Sequence, residues 1–470
     1  MNYFRKSRER VASQASFLLV AIASAAYNRE MLSGMEVWQR TLRVLWLVQF
    51  LTTLAMNLGL TFVPFFLKED PALAVRDDAR RALYTGLILA GPFFTTIICT
   101  PLWGWVADRS GPKRQVVRAC FGLGLTQLLM AIAQSPDQMV AIRMLQGMIS
   151  GVQAAALALV AVVTPGEQQG KAIAVLQSAT PAGQILGPVL GGVLATSFGF
   201  RFTYALLGGV IVLTGVLSWL LLRQDGFART ATPNPFVSLF RSGRRALAVP
   251  LLRQTFGILV IGQFAFTMAQ GVFAIYAGHV IAAWLAASGA TPAWWNSGIG
   301  FTAIAMAVTG IASVLSSTWW GRLHDRHTPF LTPIGAALLA ASMLLMFAWP
   351  PWWAVLLARV GVGVGIGVIS TLPFAVVSGQ VAREERGQLL GLATSLTHIG
   401  NLVGFVLGGV LAMWWTEVGN FALAAAAYAV VLLASLRLEL RTRRQAAVEG
   451  RQSLLDNQTE NTLSSAASPR

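Results

Sequence analysis

"GWVADRSGPKRQ", residues 104–115, lies between two long apolar stretches and gathers Asp108, Arg109, Lys113 and Arg114 into one short turn. Only 11% of the 470 residues are charged, whereas soluble domains carry about 25%. Hydrophobic residues make up 55% of the chain, and the mean hydropathy is +0.62. So few charges cannot keep the outside of a soluble globule wet. The chain therefore reads as an all-α polytopic membrane protein, and the quoted stretch as a polar turn between two crossings.

Apolar runs predict twelve membrane-spanning helices, at about 44–67, 83–107, 116–134, 139–163, 171–196, 202–222, 255–281, 296–320, 331–348, 352–378, 387–414 and 419–436. Orientation follows from the basic residues. Of the 35 Lys and Arg, 28 fall on the side of the amino terminus and five on the opposite side, with Arg143 and Arg359 inside spans. Both termini are therefore expected in the cytoplasm, with the chain in the cell inner membrane. The net charge of +16 is spread over the ends of apolar segments and forms no continuous patch, which argues against a nucleic-acid partner. The amino terminus pairs the basic "MNYFRKSRER" with an apolar run, like a secretory signal. We read it as uncleaved: an interfacial helix, or a stretch preceding a true start at Met31 or Met35. Cys99 and Cys120 lie inside apolar runs and read as small buried hydrophobes. There is no metal-ligand spacing, no Walker motif and no catalytic triad, so neither a cofactor nor an enzymatic reaction is expected.

The second half repeats the first with an offset of 217 residues: "GWVADR" (104–109) falls on "GRLHDR" (321–326), and "ILGPVLGGVLA" (185–195) on "LVGFVLGGVLA" (402–412). The chain is expected to form two pseudo-symmetric six-helix bundles. The boundaries are a cytoplasmic extension at 1–43, a first bundle at 44–222, a linker at 223–253, a second bundle at 254–436 and a disordered tail at 437–470. Parallel repeats of this kind meet about an axis along the membrane normal, with a site between them near midplane.

Three stretches resemble the major facilitator superfamily, and the likeness covers all but about the first 40 and last 30 residues. "GWVADRSGPKR" is similar to the family's loop between helices 2 and 3, "RMLQG" (143–147) to the fourth-helix motif of its proton-coupled members, and "GPVLGG" (187–192) to the fifth-helix motif of its drug:proton antiporters. The twelve-span multidrug branch fits best. Two departures stand out: Pro112 replaces a basic residue, and "GRLHDRHTPF" keeps only Asp325 and Arg326 of its motif. The resemblance implies that Gly104, Asp108, Arg109, Gly111, Lys113 and Arg114, with Asp325 and Arg326, form gating loops, and that Asp108 clasps the other half near Gly387. It also implies a hinge or seal at Gly187, Pro188, Gly191 and Gly192, and proton-gradient energy in place of a cofactor.

A charge inside a span costs at least ~2.5 kcal/mol, so Arg143 must face a cavity or a partner. None of the nineteen acids lies deep in a span, and Asn57 stands where many proton-coupled relatives carry an acid. The Arg143 charge then points to a counter-ion brought by an anionic cargo. Polar residues recur on single helix faces: Asn57 in the first span, Gln146 and Gln153, Gln177 and Gln184, Gln263 and Gln270, and His398 with Asn401. With Arg143 they form the expected pathway for substrate and protons. His279 lies near a span end and is read as interfacial, whereas Arg359, close to "WPPWW", is equally open to an interfacial and an inward-facing reading. The sequence thus leads to a monomeric secondary efflux transporter in the bilayer, moving small molecules by alternating access as a proton-coupled multidrug exporter. The alternative is a narrower exporter of an anionic metabolite such as a carboxylate siderophore; an importer or a non-transporting scaffold are lesser ones.

Overall fold

The structure is a computed structural model. It describes residues 37–222, 243–244, 248–291, 293–325, 331–379 and 383–466, without the side chains of a few of these, of 370–379, and of 441–466. The elements are α1 (Val37–Thr61), α2 (Val63–Glu69), α3 (Asp78–Ser110), α4 (Pro112–Ile132), α5 (Pro136–Ile149), α6 (Val152–Val163), α7 (Gln169–Gln177), α8 (Ala179–Phe198), α9 (Phe200–Leu221), α10 (Pro250–Ser288), α11 (Gly298–Asp325), α12 (Leu331–Phe347), α13 (Trp352–Gly379) and α14 (Arg383–Ala466). Ten stretches are long and apolar enough to cross a bilayer, and α12 adds a shorter apolar helix of 17 residues. Non-helical angles at Trp415 and Thr416 divide α14 into two legs, which brings the crossings among the described residues to twelve. We call the membrane face remote from Val37 distal.

Several elements differ from the sequence expectation. Helices outrun their apolar cores, as α10 does by starting at Pro250, because polar end turns add nothing to a hydropathy signal. The fourth span, expected to be continuous, breaks at Ser150 and Gly151, where Gly151 takes φ +122°. The Ser150 carbonyl freed there accepts from Arg118 Nη2 at 3.2 Å, and that guanidinium lies 3.3 Å from the centre of the Trp103 ring. A break at membrane depth persists because such partners satisfy its backbone. Pro112, read as a lost ionic contact, starts α4, where its missing N–H costs nothing. Gly111 before it has φ +88°, as the tight turn requires. Beyond 436, where a disordered tail is expected, α14 stays helical to Ala466, with good helix formers in "RQAAVEGRQSLL".

Two glycine sets organise the packing. A Cβ on Gly183, Gly187 or Gly191 of α8 would come within 2.9 Å of α1, against Leu54 N, Leu54 O and Leu58 Cγ respectively. At the same offset of 217, Gly400, Gly404 and Gly408 of α14 meet α10 at 2.7 Å from Val260 O, 2.1 Å from Thr267 Oγ1 and 2.8 Å from Met268 O. The fourth member of each set faces the opposite half: a Cβ on Gly192 would lie 3.0 Å from Ala303, and one on Gly409 2.9 Å from Ala82 O. Small residues permit this close approach where no hydrophobic force drives helices together.

At the distal end Arg201 grips Asp70 through Nε at 2.6 Å and Nη2 at 2.9 Å, and donates to the carbonyls of Ala131 and Ala133. Burial alone would raise the Asp70 carboxyl, but Arg201 and the amides of Ala72 and Leu73 hold it below its ordinary value. A depressed folded value gives stability that is present above the unfolded value of about 3.9 and lost as pH falls through the folded one. Asp70→Asn is expected to cost about 1–2 kcal/mol at neutral pH, and to lose that difference from wild type at a pH below the folded value. Thermal unfolding at the two pH values checks it.

Candidate functional site: two buried guanidiniums

Arg143 lies seven residues into α5 from Pro136, about 10 Å below the distal end at 1.5 Å per residue. Its exposure is 0%. Nη1 donates to Gln146 Oε1 at 2.7 Å, one turn on, while Nε is buried without a partner. Gly59 of α1 and Gly91 of α3 make the room: a Cβ on Gly59 would stand 3.4 Å from Nη2, and one on Gly91 3.3 Å from Arg143 Cβ. Tyr204 of α9 closes the pocket and donates to the Gly59 carbonyl at 2.8 Å. The guanidinium is therefore turned into the protein, away from lipid headgroups.

Arg359, for which the sequence left interface and interior equally open, is also buried. It lies seven residues into α13 from Trp352 and is 3% exposed. Its guanidinium donates to Gln270 Oε1 at 3.3 and 3.4 Å, sits 3.0 Å from Met306 Sδ, and lies 4.2 Å from the centre of the Phe273 ring, leaving Nε unpartnered. Thr309 Oγ1 donates to the Arg359 carbonyl, as Thr95 Oγ1 does to Met144 beside Arg143. Each half thus carries one guanidinium seven residues into a helix, held by a glutamine. Among the described residues no carboxylate pairs with either. At the repeat offset Arg143 falls one residue from Arg359, which was the available signal; the nearby tryptophans obscured it.

The other expected pathway residues divide. Gln146 and Gln270 join the two arginines. Gln153 Nε2 donates to Gln177 Oε1 at 3.0 Å, on exposed positions beside the α5–α6 break, and Gln184 is exposed. Asn57 donates to the Thr53 carbonyl of its own helix at 2.8 Å, and Gln263 is buried against α14, 3.0 Å from where a Gly400 Cβ would lie. The His398 ring lies tilted against Phe93 of the other half at 5.5 Å between ring centres, with Nδ1 buried and unpartnered; Asn401 Oδ1 has no partner either. Of the loop residues, Arg109 stacks on Trp105 at 3.6 Å, Lys113 is half-buried and Arg114 is exposed. Gly104, Asp108 and Asp325 lie on α3 and α11 with side-chain surroundings outside the described set, and Arg326 lies outside the described residues. Pro188 lies inside α8, with Gly187 and Gly191 against α1 and Gly192 against Ala303 of α11 in the other half.

Twelve apolar crossings in a repeated arrangement define an all-α, multi-pass membrane protein. The chain belongs to the Major Facilitator Superfamily, whose family model matches residues 45–308 and 259–466. It is 28% identical to the "Staphyloferrin B transporter" of Staphylococcus aureus (strain NCTC 8325 / PS 47) over 84% of this chain and 92% of that protein. It is also 28% identical to "Multidrug resistance protein MdtG" of Enterobacter lignolyticus (strain SCF1) over 79% of this chain and 85% of that one. The nucleoside transporter NupG shares the fold at a TM-score of 0.68 and 13% identity, covering 86% of this chain and 99% of its own. Transporters of this family need no cofactor.

Proposed function

We propose that the chain exports small carboxylate-bearing molecules across the bacterial inner membrane, by alternating access of its two halves and driven by proton entry. Both termini then lie in the cytoplasm, as 28 of 35 basic residues on that side favour. One observation carries the cargo assignment: Arg143 and Arg359 are buried, each seven residues into its helix, with unused N–H donors and no carboxylate partner among the described residues. A buried cation needs compensation, and an acidic cargo supplies it. The name of the staphyloferrin B relative agrees with this reading. The similarity to MdtG favours a second reading, a broad pump for lipophilic drugs.

The test uses proteoliposomes with an imposed pH gradient, offered a radiolabelled carboxylate siderophore and a lipophilic cationic dye. Gradient-dependent movement of the siderophore alone is expected. Movement of the dye alone would establish the second reading.

A further inference from the structure

The distal ends of the two halves are joined through one imidazole. His279, near the end of α10, places Nδ1 2.6 Å from Glu417 Oε1 and Nε2 3.4 Å from Asp78 Oδ2. Glu417 opens the last leg of α14 in the same half, whereas Asp78 begins α3 in the other. Arg81, one turn along α3, pairs with Asp78 and donates to the Val75 carbonyl. From α2, Lys68 and Glu69 line a cavity of about 320 Å³ beside His279, completed by Phe65, Arg81 and the uncharged Asn296. These are the charged groups that face the ring from the elements around it.

A neutral imidazole has one N–H and one lone pair. If Nδ1–H donates to Glu417, the Nε2 lone pair faces the Asp78 carboxylate, and two acceptors repel. If Nε2–H donates to Asp78, the lone pair faces Glu417 at the shorter distance. Both contacts are satisfied together only when one more proton is bound. With Glu417 held on Nδ1 within its own half, that proton sits on Nε2, on the contact that crosses between halves.

We propose that His279, clasped by Glu417 and Asp78, is a proton-binding site whose occupancy closes the distal end of the transporter. The proton comes from water in the adjoining cavity and leaves to it when the halves part. The span interiors offer no carboxylate for this task, and imidazole is the side chain whose ordinary titration falls between about pH 5 and 8. Closure that binds one proton makes the ratio of closed to open molecules rise by at most about tenfold for each unit that pH falls. The inference is independent of the cargo, because a distance reports closure without transport.

The experiment places spin labels at Ala74→Cys, in the loop before α3, and Ala287→Cys, near the end of α10, with Cys99 and Cys120 replaced by alanine. Distances are measured by electron–electron resonance in lipid nanodiscs between pH 5 and 8.5. The short distance is expected to dominate at the acid end and give way to a longer one along a single one-proton curve. His279→Gln should abolish the dependence, and His279→Lys, a fixed cation, should keep the short distance throughout; the lysine variant also serves if the glutamine variant fails to fold. A pH-invariant wild type, or a curve that survives in His279→Gln, would each overturn the proposal.

Discussion

Exchanging Arg143 for methionine is expected to lower transport by about 100-fold or more and, in the same molecule, to raise its resistance to unfolding. The two effects come from one cause. The guanidinium is 0% exposed, has Nε unpartnered, and is offset only by neutral groups, Gln146 and the Tyr204 hydroxyl beside it. Burying a charge costs several kcal/mol after relaxation, and neutral groups recover only part of that. Methionine fills a comparable space with a flexible apolar chain. Replacing buried charge by packed apolar atoms has stabilised other proteins by about 1–4 kcal/mol. A site that lowers stability in this way is kept for what it binds. Losing an interaction of about 2.7 kcal/mol with the cargo corresponds to the hundredfold loss. Vesicle transport and thermal unfolding of the same preparation check both halves of the statement. Wild-type transport would remove Arg143 from the pathway, and a lowered unfolding temperature would show that it serves packing. Arg143→Lys keeps the charge but loses the planar fork that matches a carboxylate, so it should transport poorly too. Arg359→Met should follow Arg143→Met in direction, with a smaller stability gain, because Gln270 and the Phe273 face already compensate its charge.

How much of this was legible in the chain depended on distance along it. The spans were legible because hydropathy is local, and Gly111 because a turn between two apolar runs needs its φ of +88°. Arg143 stood out as a lone charge in an oily segment. The break at Gly151 did not, because "MISGVQ" continues an apolar run and the arginine that satisfies it, Arg118, is 32 residues away. His279 looked interfacial because its partners are remote: Glu417 is 138 residues on, and Asp78 sits in the opposite half. Nothing local marks a contact that exists only once both halves have folded and met. The glycine sets show the same limit. Their repetition was visible for 187, 191 and 192, but which helix each glycine faces could be read only from the packing.

That difference in facing separates two substitutions of the same chemistry in the same helix. Gly404→Val is expected to prevent stable insertion. A Cβ there would lie 2.1 Å from Thr267 Oγ1 and 2.5 Å from the Phe264 carbonyl, both within its own half, so α14 could not seat on α10. Gly409→Val, five residues on, should insert and fold. Its Cβ would meet Ala82 O at 2.9 Å and the Cα atoms of Gly86 and Leu83 at 3.2 Å, all on α3 of the other half. These atoms are backbone and cannot swing aside, but the two halves can part. Overpacking of this size costs about 1–3 kcal/mol. Here that cost falls on the closed arrangement and is relieved on opening, so the closed-to-open ratio should drop by about 5- to 150-fold. The Ala74–Ala287 spin pair would read this as a long distance at acid pH, where the wild type is closed. Because His279 still titrates, raising pH should lengthen the distance further in Gly409→Val. Wild-type distances in that variant would mean that α3 and α14 accommodate the valine by sliding, and that their close approach does not hold the distal end shut. An unfolded Gly409→Val would mean that the contact between halves is part of the folding core, which the separate glycine facings argue against.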